Sequence, residues 1–228
     1  MTMTRWLTIC ILAAWGWACA WGAAASDTQP SGSEEWRDLL DGNLGAWMSA
    51  SGEKPSPGWV LEEGALVRRD RAGYIWTKER FGDFVLDLEF KTEGNSGVFF
   101  RTDDPRDCVQ TGIEIQILPP VNTPSTHSCG AIYDCLAPSK EMTRPGAWNR
   151  LVVTAKDNRI AVVMNGEQII DMDLDRWTEP GKNPDGSKNK FRAALRDFKR
   201  QGHIGLQDHG AAVSFRNVRV KSLDRPKP

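Results

Sequence analysis

Short runs of alternating apolar and polar residues, most bounded by a turn signal, constrain this chain more than any other feature. From Phe84 to Phe90 the alternation is strict, so Phe84, Leu86, Leu88 and Phe90 share one face of a strand. Gly112 to Leu118 alternates in the same way. Trp59-Val60-Leu61 and Ala65-Leu66-Val67 flank Glu62-Glu63-Gly64 in a hairpin pattern. Leu151–Thr154, Ile160–Met164 and Gln168–Met172 read as three further strands, separated by Lys156-Asp157-Asn158 and by Asn165-Gly166, a favoured tight turn. The last run, Val213–Val220, shifts phase at Arg216-Asn217, which predicts a bulge. Many short strands at close spacing predict an all-β fold, a two-sheet sandwich or jelly roll. Glu34 to Leu40 has room for one or two helical turns. Asn189 to Arg200 is predicted as a short helix in a late loop, because Phe191, Leu195 and Phe198 fall at helical spacing and Gly202 follows as a stop.

Residues 1–25 differ from the rest. Arg5 is their only charge, an apolar run from Trp6 to Trp21 follows, and Ala23-Ala24-Ala25 offers small residues for cleavage before Ser26. This is the pattern of a secretory signal peptide and predicts a secreted or periplasmic protein. A lipid anchor at Cys19 is the rival reading. Residues 26–33 read as a flexible linker, leaving 34–225 as a single domain. With 40% hydrophobic and 26% charged residues the chain is ordinary for a globular protein, and a net charge of -1 gives no reason to expect nucleic acid as a partner. Outside the leader the cysteines are Cys108, Cys129 and Cys135. In an oxidising compartment Cys129 and Cys135 could close a short loop, or all three could remain free buried thiols.

Three stretches could carry chemistry. In Gly112–Leu118, three isoleucines should point to the core, which puts Glu114 and Gln116 together on an open polar face. In Asn95–Arg101, alternation puts Asn95, Gly97, Phe99 and Arg101 on one face. Gly97 would give a ligand room beside the backbone, Phe99 would offer a ring to a sugar face, and Arg101 would offer a fork of donors. Two glycines bracket Gln207, Asp208 and His209, and Gln207 and His209 share a face if the strand persists. His209 is the best placed of the three histidines for acid or base work. His127 lies in a Pro- and Ser-rich loop, and His203 reads as a packing or capping residue. Tyr133 could reach a ligand hydroxyl or sit buried with its own satisfied. Asn183 and Asp185, in the loop Glu179–Lys188, are too few for a calcium site.

No nucleophile elbow, phosphate loop or dinucleotide fingerprint is present. Ordinary glycoside hydrolysis uses two carboxylates flanking the bond. Sandwich glucanases carry them on one strand, as Glu-x-Asp-x-Glu or Glu-x-Asp-x-x-Glu. Here Gln116 stands at the Asp position, and Leu118 and Pro119 where the second Glu would fall.

Taken in order, several segments resemble the 3-keto-disaccharide hydrolase domain family. They are Leu40-Asp41-Gly42 through Trp47, Gly82-Asp83-Phe84, Asn95 to Arg101, Glu114-Ile115-Gln116, Gly130 to Tyr133, Asn165-Gly166, Gly205 to Gly210 and Phe215 to Val220. The resemblance implies a concanavalin A-like jelly-roll β-sandwich. It also implies substrates whose sugar ring carries a ketone at C3, supplied by a partner such as a sugar 3-dehydrogenase. Within the family pattern the Cys129 and Cys135 pair looks regular, which favours a disulfide there, and Cys108 looks like a local oddity. A C3 ketone acidifies the C2 hydrogen, so the bond at C1 can break by β-elimination, with water then adding to the enone. Glu114 and His209 are the expected base and acid, in either order. Arg101, with Asn95 or Gln116, is expected to hold the enolate oxygen. Phe99, Tyr133, Gln207 and Asp208 would complete the sugar contacts. No cofactor is required, although a divalent metal on Glu114, Asp208 and His209 is conceivable. A sugar-binding module without turnover is the alternative.

Overall fold

The structure is a computed structural model that describes residues 35–224. The expected leader and linker, 1–25 and 26–33, lie outside the described residues. The fold is a sandwich of two antiparallel β-sheets, as the alternation predicted. The large sheet follows the order β11 (Glu167–Asp173), β10 (Arg159–Met164), β9 (Asn149–Lys156), β6 (Phe84–Thr92), β13 (Val213–Ser222), β4 (Ala65–Arg68) and β3 (Trp59–Glu62), with β1 (Arg37–Asp38) also paired to β13. The small sheet follows β2 (Trp47–Met48), β5 (Ile75–Thr77), β12 (His203–Leu206), β7 (Ser96–Thr102) and β8 (Ile113–Ile117).

Turn chemistry sets the hairpins. Two-residue turns that match strand twist need positive φ at both central residues. Asn165 and Gly166 supply φ of 51° and 91°, and Glu63 and Gly64 supply 49° and 76°. Between Arg216 and Arg219 the register of β13 against β6 shifts, with Asn217 at φ 52°, which is the expected bulge.

The core lies between the sheets. Phe84, Leu86, Leu88 and Phe90 of β6 face Val98 and Phe100 of β7, Ile113, Ile115 and Ile117 of β8, and Ile204 and Leu206 of β12 in one apolar cluster. Period two therefore leaves the other side of the small sheet to Phe99, Glu114, Gln116 and Gly205. Trp76, Phe99 and Cys108 form a separate small cluster on that side, with Tyr74 packed against it.

Three local expectations fail. Arg37–Asp38 is a strand rather than a helical turn, because its backbone pairs with Arg219 and Val220. The segment Asn189–Arg200 is irregular, with a single 3-10 turn at Leu195–Asp197. Phe191, Leu195 and Phe198 are buried as expected, but through loop packing in which Phe191 and Phe198 meet edge to face. The short α-helix, α1 (Cys108–Thr111), instead lies between β7 and β8. Cys108, Cys129 and Cys135 are all free. The Cys129 thiol engages Thr143, while Cys135 lies in the field of Asp134 and Lys190, so the expected bridge is not formed.

Candidate active site

The outer face of the small sheet is built around Glu114. Antiparallel register sets Phe99 opposite Glu114, Gly97 opposite Gln116, and Gly205 opposite both Phe99 and Trp76. The two glycines matter because side chains lie flat across them. A Cβ on Gly97 would collide with the Glu114 carboxylate, and one on Gly205 with the Trp76 ring. The room expected at Gly97 for a ligand is thus occupied by Glu114 itself.

Glu114 is nearly buried, at 7% exposure, rather than open as the alternation suggested. Its Oε1 accepts a hydrogen bond from Gln207 Nε2 at 3.1 Å, and the same amide donates to the Tyr74 hydroxyl at 2.8 Å. Its Oε2 stands 3.7 Å from Lys190 Nζ. Burial pushes the Glu114 carboxyl above the ordinary carboxylate range, against the opposing fields of Lys190 and His209 and the bond from Gln207. Burial also pushes the Tyr74 phenol up to about 12 and the Cys108 thiol up to about 11, so both stay neutral near pH 7.

The segment after β8 covers one flank. Gly130 and Tyr133 donate backbone bonds to the carbonyls of Gln116 and Glu114, and Gln116 donates to Ala131. Tyr133 is thereby fixed beside the carboxylate. Lys190 Nζ sits 3.8 Å over the Tyr133 ring, and His127 meets that ring edge-on at 4.8 Å. Asp134 Oδ1 lies 3.2 Å from His127 Nε2, while Asp134 Oδ2 accepts from the Lys190 backbone N–H at 2.6 Å.

On the opposite flank Asp208 is a clamp rather than a sugar contact. It accepts from Arg68 Nε, from the backbone N–H groups of Ala72 and Gly73, and from Gly210. Burial raises its pKa, but those bonds and the Arg68 charge outweigh burial and hold it below the usual range. A carboxylate so committed does not suit the metal set considered with Glu114 and His209. His209, exposed on the loop that Asp208 pins, remains within the electrostatic reach of Glu114.

Arg101 does not join this group. Its φ of 50° breaks the alternation, and its fully buried guanidinium donates to the Gly82 and Asp157 carbonyls and to Asp83 Oδ1. It ties the small sheet to the large one. Phe99, 1% exposed, packs against Tyr74 and Trp76 and is not presented as a platform for a sugar ring. Gln116 is buried beside Glu114, and Asn95 lies immediately before β7. Lys190, Tyr74 and Trp76 belong to the site but were not singled out from the sequence. Tyr74 and Trp76 do carry a signal there, an aromatic pair two residues apart, with Trp76 on a short strand and Tyr74 just before it. Lys190 carries none.

Among the described residues, the buried side-chain atoms without a hydrogen-bond partner include Trp76 Nε1, Asn95 Oδ1 and Gln207 Oε1. An unpaired buried polar atom costs about 1–3 kcal/mol, so such atoms call for a partner. Gln207 Oε1 belongs to the amide that touches Glu114, where a ligand hydroxyl could complete it.

Residues 35–221 match the family described as the 3-keto-alpha-glucoside-1,2-lyase-like domain. The chain belongs to this family. Membership places it among carbohydrate-active proteins. A 3-keto-disaccharide hydrolase of Bacteroides thetaiotaomicron is 24% identical over 234 aligned residues, covering 86% of this chain and 81% of that protein. A solved structure from Parabacteroides distasonis, described as a candidate glycosyl hydrolase, superimposes with a TM-score of 0.76 and 32% identity, covering 83% of this chain and 100% of that one. A second structure from that organism gives a TM-score of 0.68 at 24% identity over 83% and 94% of the two chains, and shares the sandwich. The Glu114 face lies on strands within the matched span.

Proposed function

We propose that this protein cleaves the glycosidic bond of sugars carrying a ketone at C3, on the outer face of the small sheet. The observation that carries the reading is one buried carboxylate, raised above its ordinary range, on a strand that carries no second acid. A lone base does not suit direct glycoside hydrolysis, but it suits removal of an acidified proton. Glu114 takes the C2 proton, and the C–H electron pair forms the enolate at C3. As the C3 carbonyl re-forms, C1–C2 becomes a double bond and the C1–O bond breaks. His209 delivers a proton to the departing oxygen. Water then adds its oxygen at C1 and a proton at C2, giving net hydrolysis. Family membership and the name of the Bacteroides thetaiotaomicron relative support the substrate class. The apolar leader supports an exported protein, with a sugar 3-dehydrogenase as the supplier of the ketone.

The test compares a 3-keto-glycoside bearing a chromogenic leaving group with its unoxidised parent. Release from the keto form alone, lost in Glu114→Gln with the fold intact, is the expected result. Binding without release would make the domain a sugar-binding module. Release from the plain glycoside would reject the elimination route.

A further inference from the structure

Deprotonation at C2 leaves negative charge on the C3 oxygen, and the burial of Arg101 between the sheets removes the group expected to meet it. The base and the charge-stabilising group act on neighbouring atoms of one sugar ring, so they must stand within a few ångströms of each other. Gln207 already spends its amide donors on Glu114 and Tyr74. Lys190 is different. Its Nζ faces Glu114 Oε2 at 3.7 Å, and an ammonium has three donors, so at least two remain for a ligand.

We propose that Lys190 is a catalytic residue whose ammonium binds the C3 carbonyl oxygen of the keto sugar and stabilises the enolate formed when Glu114 removes the C2 proton. The inference rests on the elimination chemistry above and deepens it. The Lys190 backbone is held from both sides, by Asp134 Oδ2 at its N–H and by Gln110 Nε2 at its carbonyl, 2.6 and 3.0 Å away. Arg192 N–H closes the same loop onto Gln110 Oε1. A donor placed in advance stabilises developing charge without reorganising at the moment of reaction. Two neighbours favour the charged form: the Glu114 carboxylate and the Tyr133 ring, which lies 3.8 Å under Nζ. Burial lowers the Lys190 pKa, and Glu114 and Asp134 oppose the fall without reversing it. A place between a carboxylate and an aromatic face suits an ammonium donor rather than an amine that condenses with the ketone. An ammonium also discriminates: it can only donate, and the charge it neutralises arises only on a ketone.

In the step, the C2–H bond breaks and its proton goes to Glu114. The electron pair forms C2=C3, and the former carbonyl oxygen carries the charge against Lys190. Nothing is oxidised or reduced.

The test uses wild type, Lys190→Met and Lys190→Gln with 3-keto-glucosides bearing a nitrophenyl or a methyl leaving group. C2–H exchange in D2O is followed by NMR, and melting temperature serves as the folding control. Each variant is expected to lose about 10²–10³-fold in kcat/KM. The loss should be equal for both leaving groups and matched by slower C2 exchange. Intact C2 exchange with loss confined to the methyl glucoside would make Lys190 the leaving-group acid and overturn the proposal. A borohydride-trapped adduct on Lys190 would overturn it in favour of an imine. Unchanged kinetics in both variants would remove Lys190 from the site. A wild type inert toward every keto-glucoside would instead reject the elimination reading itself, and this inference with it.

Discussion

Replacing Arg101 with Met separates structure from catalysis in one experiment. The guanidinium is 1% exposed as a residue and donates three hydrogen bonds, two to carbonyls and one to Asp83. Asp83 Oδ1 also accepts the backbone N–H of Asp157 at 2.9 Å, so the bonds form one knot between the start of β6 and the β9–β10 turn. Met fills much of the stem's volume but leaves two part-buried carbonyls and a partly buried carboxylate short of donors. Breaking a buried ion pair from one side costs about 3–5 kcal/mol. For a domain of this size each kcal/mol moves Tm by about 2–4 °C, so the expected fall is roughly 6–20 °C. Thermal and urea unfolding followed by circular dichroism measure this directly. The rate per folded molecule on a 3-keto-glycoside, taken well below the melting range, should match wild type. A variant with wild-type Tm and a collapsed rate would refute the reasoning and return Arg101 to the reacting atoms.

The raised pKa of Glu114 sets the pH profile: the base must be ionised, so kcat/KM should fall as pH drops through a value above the roughly 4.3 of an ordinary glutamate, and an acid limb at or below that value would count against Glu114. Stability should run the other way. A carboxyl raised by folding contributes most below its unfolded pKa, and that contribution is lost as pH rises through the folded value. Gly205→Ala forces a methyl into the Trp76 ring and should cost about 1–3 kcal/mol in chemical denaturation; a neutral result would show the ring is free to move. Alkylation of the unfolded protein without reductant, read by peptide mapping, should label Cys108, Cys129 and Cys135 alike, whereas protection of Cys129 and Cys135 together would establish the bridge.

The sandwich was legible because its signals are local and periodic. Phe84 to Phe90, the Asn165-Gly166 turn and the phase slip at Arg216-Asn217 each report backbone geometry through residue type alone. The position of Glu114 was half legible. Alternation named the face but not what covers it, since Tyr133 and Lys190 reach the carboxylate from loops far along the chain. Arg101 misled for a single-residue reason. Its positive φ turns the side chain off the face that Gly97 and Phe99 share, and no residue type announces that turn in an arginine. Asn189 to Arg200 misled because three buried residues at helical spacing satisfy a loop packed on a core as well as they satisfy a helix.

The two sides of the sandwich obey different rules. On the outer face of the large sheet, Asp87 is buried yet paired with both Arg150 and Arg219, and Glu89 is met by Arg216, so charge is matched with charge. The outer face of the small sheet does the reverse. It puts glycines in mid-strand at 97 and 205, where a side chain would add stability. It buries a carboxylate whose closest cation stands at 3.7 Å, and it leaves an indole N–H and an amide oxygen without partners. Each departure weakens the folded state, and together they occupy one patch. Departures of this kind are expected where a sequence serves a ligand as well as the fold. The glycines explain why the patch lies here: across the missing Cβ of Gly97 a glutamate can lie down on the sheet and lose its water.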